Sequence, residues 1–177
     1  TFGDNGKVDL KVGLGRDSNK IPRIQPTSPG RVFEDLIIMG SGTGERYDSP
    51  PGDLRAYDVR TGKLVWQFHS IPHKGEVGYD TWPDGAAEIS GGANIWGEMS
   101  IDPKRGILYG CLGAPGYNFY GGERTGQNLF GDALVALDAR TGKLLWYFQL
   151  IHHDVWDLDS PAGPKLLSIV HDGKNVD

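Results

Sequence analysis

The stretch best equipped for chemistry is LIHHDVWDLDSP, positions 150–161, where His152, His153, Asp154, Trp156, Asp157 and Asp159 follow a hydrophobic strand pattern. Three readings fit these letters: a metal cluster, a carboxylate acting as a base, or a polar turn between strands. Adjacent residues on an extended chain point to opposite faces, so the His152–His153 pair chelates a transition metal poorly. An ionised aspartate can take a proton from a hydroxyl. A second stretch, GSGTGERYD (40–48), puts Glu45 in a glycine-rich loop at a strand end, where the backbone can approach a ligand closely or the side chain is simply solvated. In a third, ISGGANIWGEMS (89–100), Trp96 is flanked by glycines just before a strand pattern. Its indole reads either as a core or docking group or as an aromatic face offered to a ligand.

The elements that position these residues are announced by a repeat. AYDVRTGKLVWQF (56–68) lies over ALDARTGKLLWYF (136–148) with nine of thirteen letters identical at an offset of 80. Such repetition reports architecture directly. Each copy reads as strand, RTGK turn, return strand. Gly62 and Gly142 supply a positive φ, while Asp58 and Asp138, helped by Thr61 and Thr141, accept from turn amides. A single hairpin cannot bury Trp66 or Trp146, so each is expected to dock on a neighbouring unit. RVFEDLIIMG (31–40) and MSIDPKRGILYG (99–110) are strand pairs that precede the two repeats. Two strands plus two strands make a four-stranded antiparallel propeller blade.

The expected fold is therefore all-β, a β-propeller fragment of about two blades. Residues 1–26 end a preceding blade, 27–94 hold one blade and its connecting loop, 95–159 hold the next, and 160–177 start a third, with PKLLSIV (164–170) as its first strand. Residues 69–94 and 112–130 read as long loops, the usual place for sites on a rigid scaffold. Two blades cannot close a ring, so the missing blades come from a longer parent chain or from other copies.

Composition narrows the partners. A net charge of −5 without a basic run argues against nucleic acid and anionic membrane surfaces. The 27 glycines and 11 prolines follow no collagen-like period, and fit many tight turns between short strands. The lone Cys111 excludes an intrachain disulfide, and no apolar run approaches the roughly 20 residues of a membrane helix.

A-x-D-x-R-T-G-K-L-x-W is similar to the tryptophan-docking motif of quinoprotein dehydrogenases, eight-bladed propellers that hold pyrroloquinoline quinone (PQQ) and calcium near the axis. TFGDNGKVDLKVGLGR, GGANIWGEMSIDPKRGILYG, FYGGERTGQN and HHDVWDLDSP also resemble that family, so the likeness covers almost the whole chain. It points to the branch of membrane-associated glucose dehydrogenases. The resemblance implies oxidation of a sugar, polyol or alcohol hydroxyl, electron transfer to a quinone or cytochrome, and a periplasmic location with a possible inner-membrane anchor in the parent. It makes Asp157, of the Trp156-Asp157 pair, the general base and a calcium ligand. Glu45 becomes the calcium-binding glutamate, Trp96 the quinone floor, and Thr27 in PTSPG a hydroxyl for the cofactor's carboxylate. Asp154 and Asp159 are left to cap the loop and the start of the following strand. Two departures stand out. Ala114 in CLGAPGYN replaces an asparagine calcium ligand, with Asn118 four residues on, and the family's active-site cation and upstream arginine fall outside the chain. The docking motif also occurs in non-catalytic propellers, so the alternative is a scaffold or binding module without cofactor.

Overall fold

The computed structural model describes residues 1–176. Strands β1 (Arg31–Phe33), β2 (Leu36–Met39), β3 (Leu54–Asp58) and β4 (Leu64–Phe68) form one antiparallel sheet in sequential order. Strands β5 (Met99–Asp102), β6 (Ile107–Cys111), β7 (Ala133–Asp138) and β8 (Leu144–Gln149) form a second sheet of the same order. Both are the meanders that the repeat predicts. The connection from β4 to β5 carries one short 3-10 turn, Tyr79–Thr81, and a single helical turn, α1 (Ala86–Ile89).

The turn chemistry follows from the letters. Asp58 Oδ1 accepts from the Arg60 and Thr61 amides and from Thr61 Oγ1, at 3.0, 2.7 and 2.8 Å. Asp138 repeats this with Arg140 and Thr141 at 3.0, 2.9 and 2.9 Å. Gly62 and Gly142 sit at φ +72° and +71°, where a Cβ is disfavoured. Thr61 and its neighbours hold the Asp58 carboxyl below the usual range, despite some opposing desolvation.

One core runs through both sheets, built on Ile38, Leu54, Trp66, Ile95, Met99, Leu108, Val135 and Leu137. Trp66 is the hinge pin. It is 7% exposed, its Nε1 donates to Ala139 O at 3.1 Å, and its ring lies over Gly142 of the next sheet, where a Cβ would come within 2.4 Å. Trp146, at the equivalent place in β8, is 45% exposed because no further sheet among the described residues packs over it. Arg140 adds a second tie between the sheets, stacking over Phe33 at 4.9 Å and pairing with Glu34.

The expected third-blade strand over 164–170 begins later than the letters suggest. Extended pairing starts at β9 (Ile169–His171), which turns back through Asp172-Gly173 into β10 (Lys174–Val176). Pro161 and Pro164 carry no N–H for a ladder, and this segment instead runs along the second sheet, with Ser100 Oγ donating to Pro164 O and Gly97 packed against Pro161 O.

Meander topology decides where the site lies. In each sheet the chain enters at one end, turns at the other after the first and third strands, and returns after the second and fourth. The RTGK turns thus occupy one end. The segments before β1 and β5 and after β2, β6 and β8 all gather at the opposite end.

Candidate functional site

A cavity of about 360 Å³ opens among those gathered segments. Its walls include Arg23 and Thr27 from before β1, Glu45 from after β2, Asn94 and Trp96 from before β5, Ala114 and Asn118 from after β6, and Asp157 and Asp159 from after β8. All four residues singled out in the sequence (Thr27, Glu45, Trp96 and Asp157) line this one space.

The loops are stitched by backbone, which fixes the walls. Segment 91–95 threads between the β2–β3 and β6–β7 loops. Gly52 N donates to Gly92 O at 2.8 Å, Ala93 N to Ala114 O at 2.9 Å, Gly113 N to Asn94 O at 3.0 Å, and Ser41 N to Ile95 O at 2.9 Å. Gly52 allows this approach: a Cβ there would stand 2.2 Å from Asn94 Cβ. Buried Asn94 ties its side chain to the β2–β3 loop, donating from Nδ2 to Ser41 O at 2.7 Å and accepting at Oδ1 from Thr43 Oγ1 at 3.0 Å, while its backbone oxygen holds the β6–β7 loop.

Asp157 sits half-buried in the left-handed backbone region, φ +60°, a conformation aspartate tolerates better than most residues. Its Oδ1 accepts from Asn118 Nδ2 at 2.7 Å. Burial pushes its carboxyl above the ordinary range, and the negative charges of Asp159, Glu45 and Asp154 push it further against the Asn118 hydrogen bond. Glu45 is exposed in its loop. Trp96 presents a 39% exposed ring, with its backbone oxygen accepting from Thr27 Oγ1 at 2.8 Å. Thr27 therefore reaches the cavity with its hydroxyl hydrogen already engaged.

The neighbours of Asp157 divide sharply. Asp154 caps its own loop as expected, accepting from Trp156 N at 2.9 Å and Leu158 N at 2.8 Å. Asp159 departs from the strand-capping role expected of it. Its Oδ2 accepts from Trp96 Nε1 and its Oδ1 from Ala114 N, both at 2.6 Å. The reason is the late start of β9, which leaves Asp159 beside the cavity rather than at a strand start. His153 turns away, its Nδ1 against Gly126 O at 2.9 Å, and His152 is exposed. Among the described residues no three His, Cys, Asp or Glu side chains converge as a metal cluster.

Behind this wall lies a buried polar group that the letters do not announce. Arg124, 2% exposed, donates to Asn128 Oδ1 at 2.8 Å, to Tyr117 O at 3.3 Å and to Asp154 O. Asp132 is 1% exposed and neither carboxyl oxygen has a hydrogen-bond partner. Burial first, then the charges of Asp154 and Asp159, raise its pKa to about 7 in spite of Arg124. Arg23, Asn94, Asp132 and the role of Asp159 escaped the sequence because each depends on contacts between distant segments. Only Asn118 carried a local signal, its spacing from Ala114.

The chemistry of the donors fits a hard cation. Glu45 and Asp157 offer carboxylate oxygens and Asn118 an amide oxygen, all on one cavity, and crowded negative charge is what a divalent cation relieves. Calcium takes six to eight oxygens, so carbonyls, water or a ligand would complete its shell. The half-exposed Trp96 face is suited to a flat ring system.

The family described as "PQQ: Glucose/ethanol/alcohol dehydrogenase, beta-propeller domain" matches residues 1–177. The chain is 37% identical over 169 residues to the quinate/shikimate dehydrogenase (quinone) of Acinetobacter baylyi, covering 94% of this chain and 20% of that protein. It is 34% identical over 173 residues to the quinoprotein glucose dehydrogenase A of Acinetobacter calcoaceticus, covering 95% of this chain and 21% of that protein. Among solved structures it is similar to the quinohemoprotein alcohol dehydrogenase from Comamonas testosteroni, with a TM-score of 0.72 and 31% identity over 82% of this chain and 23% of that one. The chain thus spans about a fifth of the length of the curated relatives it matches.

Proposed function

The chain belongs to the PQQ-dependent glucose/ethanol/alcohol dehydrogenase β-propeller family, and from that premise we propose that it forms one wall of the active site of a dehydrogenase oxidising a sugar, polyol or alcohol hydroxyl. The observation that carries this reading is the meeting of Thr27, Glu45, Trp96 and Asp157, from four separate segments, around one cavity. The remaining blades come from the rest of a longer chain or from other copies.

In this reading Asp157 is the general base. Its carboxylate takes the substrate hydroxyl proton, and the Asn118 amide at 2.7 Å sets its orientation. Glu45, Asp157 and the Asn118 amide oxygen would hold calcium, whose charge would favour the ionised form of Asp157. Trp96 supplies the floor for the quinone and excludes water from one face. Arg23 lines the rim with a guanidinium suited to the cofactor's carboxylates, and Thr27 would have to give up its bond to Trp96 O to donate its hydroxyl to one of them. PQQ, when bound, supplies the two-electron acceptor for the hydride. Electrons pass on to a quinone or cytochrome, and we place the parent in the periplasm.

The test reconstitutes the full-length parent with PQQ and Ca²⁺ and follows dye reduction with sugars, polyols and alcohols. Asp157→Asn should lower kcat by about 10²–10⁴-fold, the usual contribution of a positioned base. Absence of quinone-dependent turnover would leave a scaffold propeller as the reading, and full activity of Asp157→Asn would remove Asp157 as the base.

A further inference from the structure

We propose that Asp159 is a positioning residue that fixes the plane of the Trp96 indole. The inference rests on the reading of Trp96 as the quinone floor. A ring 39% exposed is not locked by packing alone. The backbone under it is held, by Thr27 Oγ1 donating to Trp96 O at 2.8 Å and Ser28 Oγ donating to Gly97 O at 2.6 Å. The ring itself keeps rotational freedom about its side-chain bonds unless its single N–H is anchored. Asp159 Oδ2 anchors it at 2.6 Å.

The same carboxylate reaches a second segment. Its Oδ1 accepts from Ala114 N at 2.6 Å. Residue 113 is a glycine whose Cβ would lie 2.5 Å from Asp159 Oδ1 and 2.9 Å from its Cγ, so the carboxylate occupies the space a side chain there would need. Asp159 thereby clamps the start of β5 to the loop after β6 from the exit of β8. Both contacts use the anionic form as acceptor, which makes them short and charge-assisted. An asparagine of the same shape offers one carbonyl oxygen and one amino group. It can satisfy one of the two N–H donors and must oppose the other.

The experiment is a double-mutant cycle on PQQ affinity in the metal-replete, full-length parent at saturating Ca²⁺, combining Asp159→Asn with Trp96→Phe. Phenylalanine keeps a flat ring but removes the N–H. Asp159→Asn alone should weaken PQQ binding about tenfold, on the order of one charge-assisted hydrogen bond, and alter the induced circular dichroism of bound PQQ at full occupancy. In the Trp96→Phe background the same change should cost less than about threefold and leave the dichroism unaltered, since no N–H remains to position. Gly113→Ala, which displaces the carboxylate by contact, should reproduce the effect of Asp159→Asn and the same loss of effect beside Trp96→Phe. Equal effects of Asp159→Asn in both backgrounds overturn the positioning role, as does an Asp159→Asn protein that binds PQQ like the wild type. Trp96→Ala separates the two levels of the reading. Unchanged PQQ affinity on Trp96→Ala removes the floor itself and this inference with it, whereas a large loss with additive Asp159 effects removes only the latter.

Discussion

Asp132→Asn should make the protein more stable, and only above acid pH. Asp132 is 1% exposed, lacks a partner for either oxygen, and has its pKa raised from the ordinary 3.8 to about 7. A tenfold change in proton affinity is worth about 1.4 kcal/mol. The rise from 3.8 to about 7 therefore sets a ceiling of about 4 kcal/mol on the penalty for ionising this carboxyl in the folded state. Below pH 4 folded and unfolded chains both carry the proton and there is no penalty. Between about 4 and 7 the unfolded chain has lost it while the folded one keeps it, so stability falls as pH rises. Above 7 the full penalty is present. Asparagine has the same shape, no charge, and tolerates the φ of +49° as aspartate does. The assay is urea unfolding of both proteins from pH 4 to 8 in metal-free buffer. The advantage of Asp132→Asn should be close to zero at pH 4 and grow to about 2–4 kcal/mol at pH 8. A difference that is flat across this range, or that runs the other way, refutes a carboxyl held protonated by burial.

Trp66→Ala should cost about 3–5 kcal/mol of stability, as for a large core aromatic, whereas Trp146→Ala, with 45% of its surface in water, should cost less than half of that in chemical unfolding. Gly52→Ala drives a Cβ to 2.2 Å from Asn94 Cβ and should destabilise the protein by about 1–3 kcal/mol, with a lowered Tm, because backbone on both sides leaves nothing free to move. On the proposed calcium site, removing divalent cations from the full-length protein should move the acid limb of its pH–rate profile upward, since burial and the charges of Asp159, Glu45 and Asp154 already hold the Asp157 carboxyl above its ordinary range. A limb that does not respond to the metal would separate Asp157 from the cation site.

The sheets were legible because their signals are local. The aspartate, threonine and glycine of each RTGK turn act within five residues of one another, and the period-2 strands around them need no distant information. Family motifs singled out Glu45, Trp96 and Asp157, and the structure places all three on one cavity. What the letters hid is set by the loops. Asp159 and Asp154 look alike in the sequence, yet one closes its own loop and the other reaches Trp96, 63 positions away. Asp132 reads as the polar end of a loop, and only the fold buries it. The start of β9 was misplaced because Leu166 and Leu167 run on into Ile169 and Val170 in the letters, while only the latter pair with β10.

The two copies of the repeat also separate what a sequence motif encodes from what it stabilises. Their hairpins form with the same turn bonds, and in each the tryptophan pairs with an alanine across the strand, Trp66 with Ala56 and Trp146 with Ala136. Yet Trp66 is buried against Ala139 and Gly142, and Trp146 stays open. The tryptophan is therefore not part of what makes the hairpin fold. It is the bond between one sheet and the next, and it contributes in full only when a following sheet supplies the carbonyl and the glycine. That division has a consequence for the site. Its walls come from the exits of both sheets, so the angle that Trp66 sets between them also sets the separation of Glu45 from Asp157. Loosening Trp66 should therefore weaken the calcium binding proposed for a cavity that Trp66 does not touch.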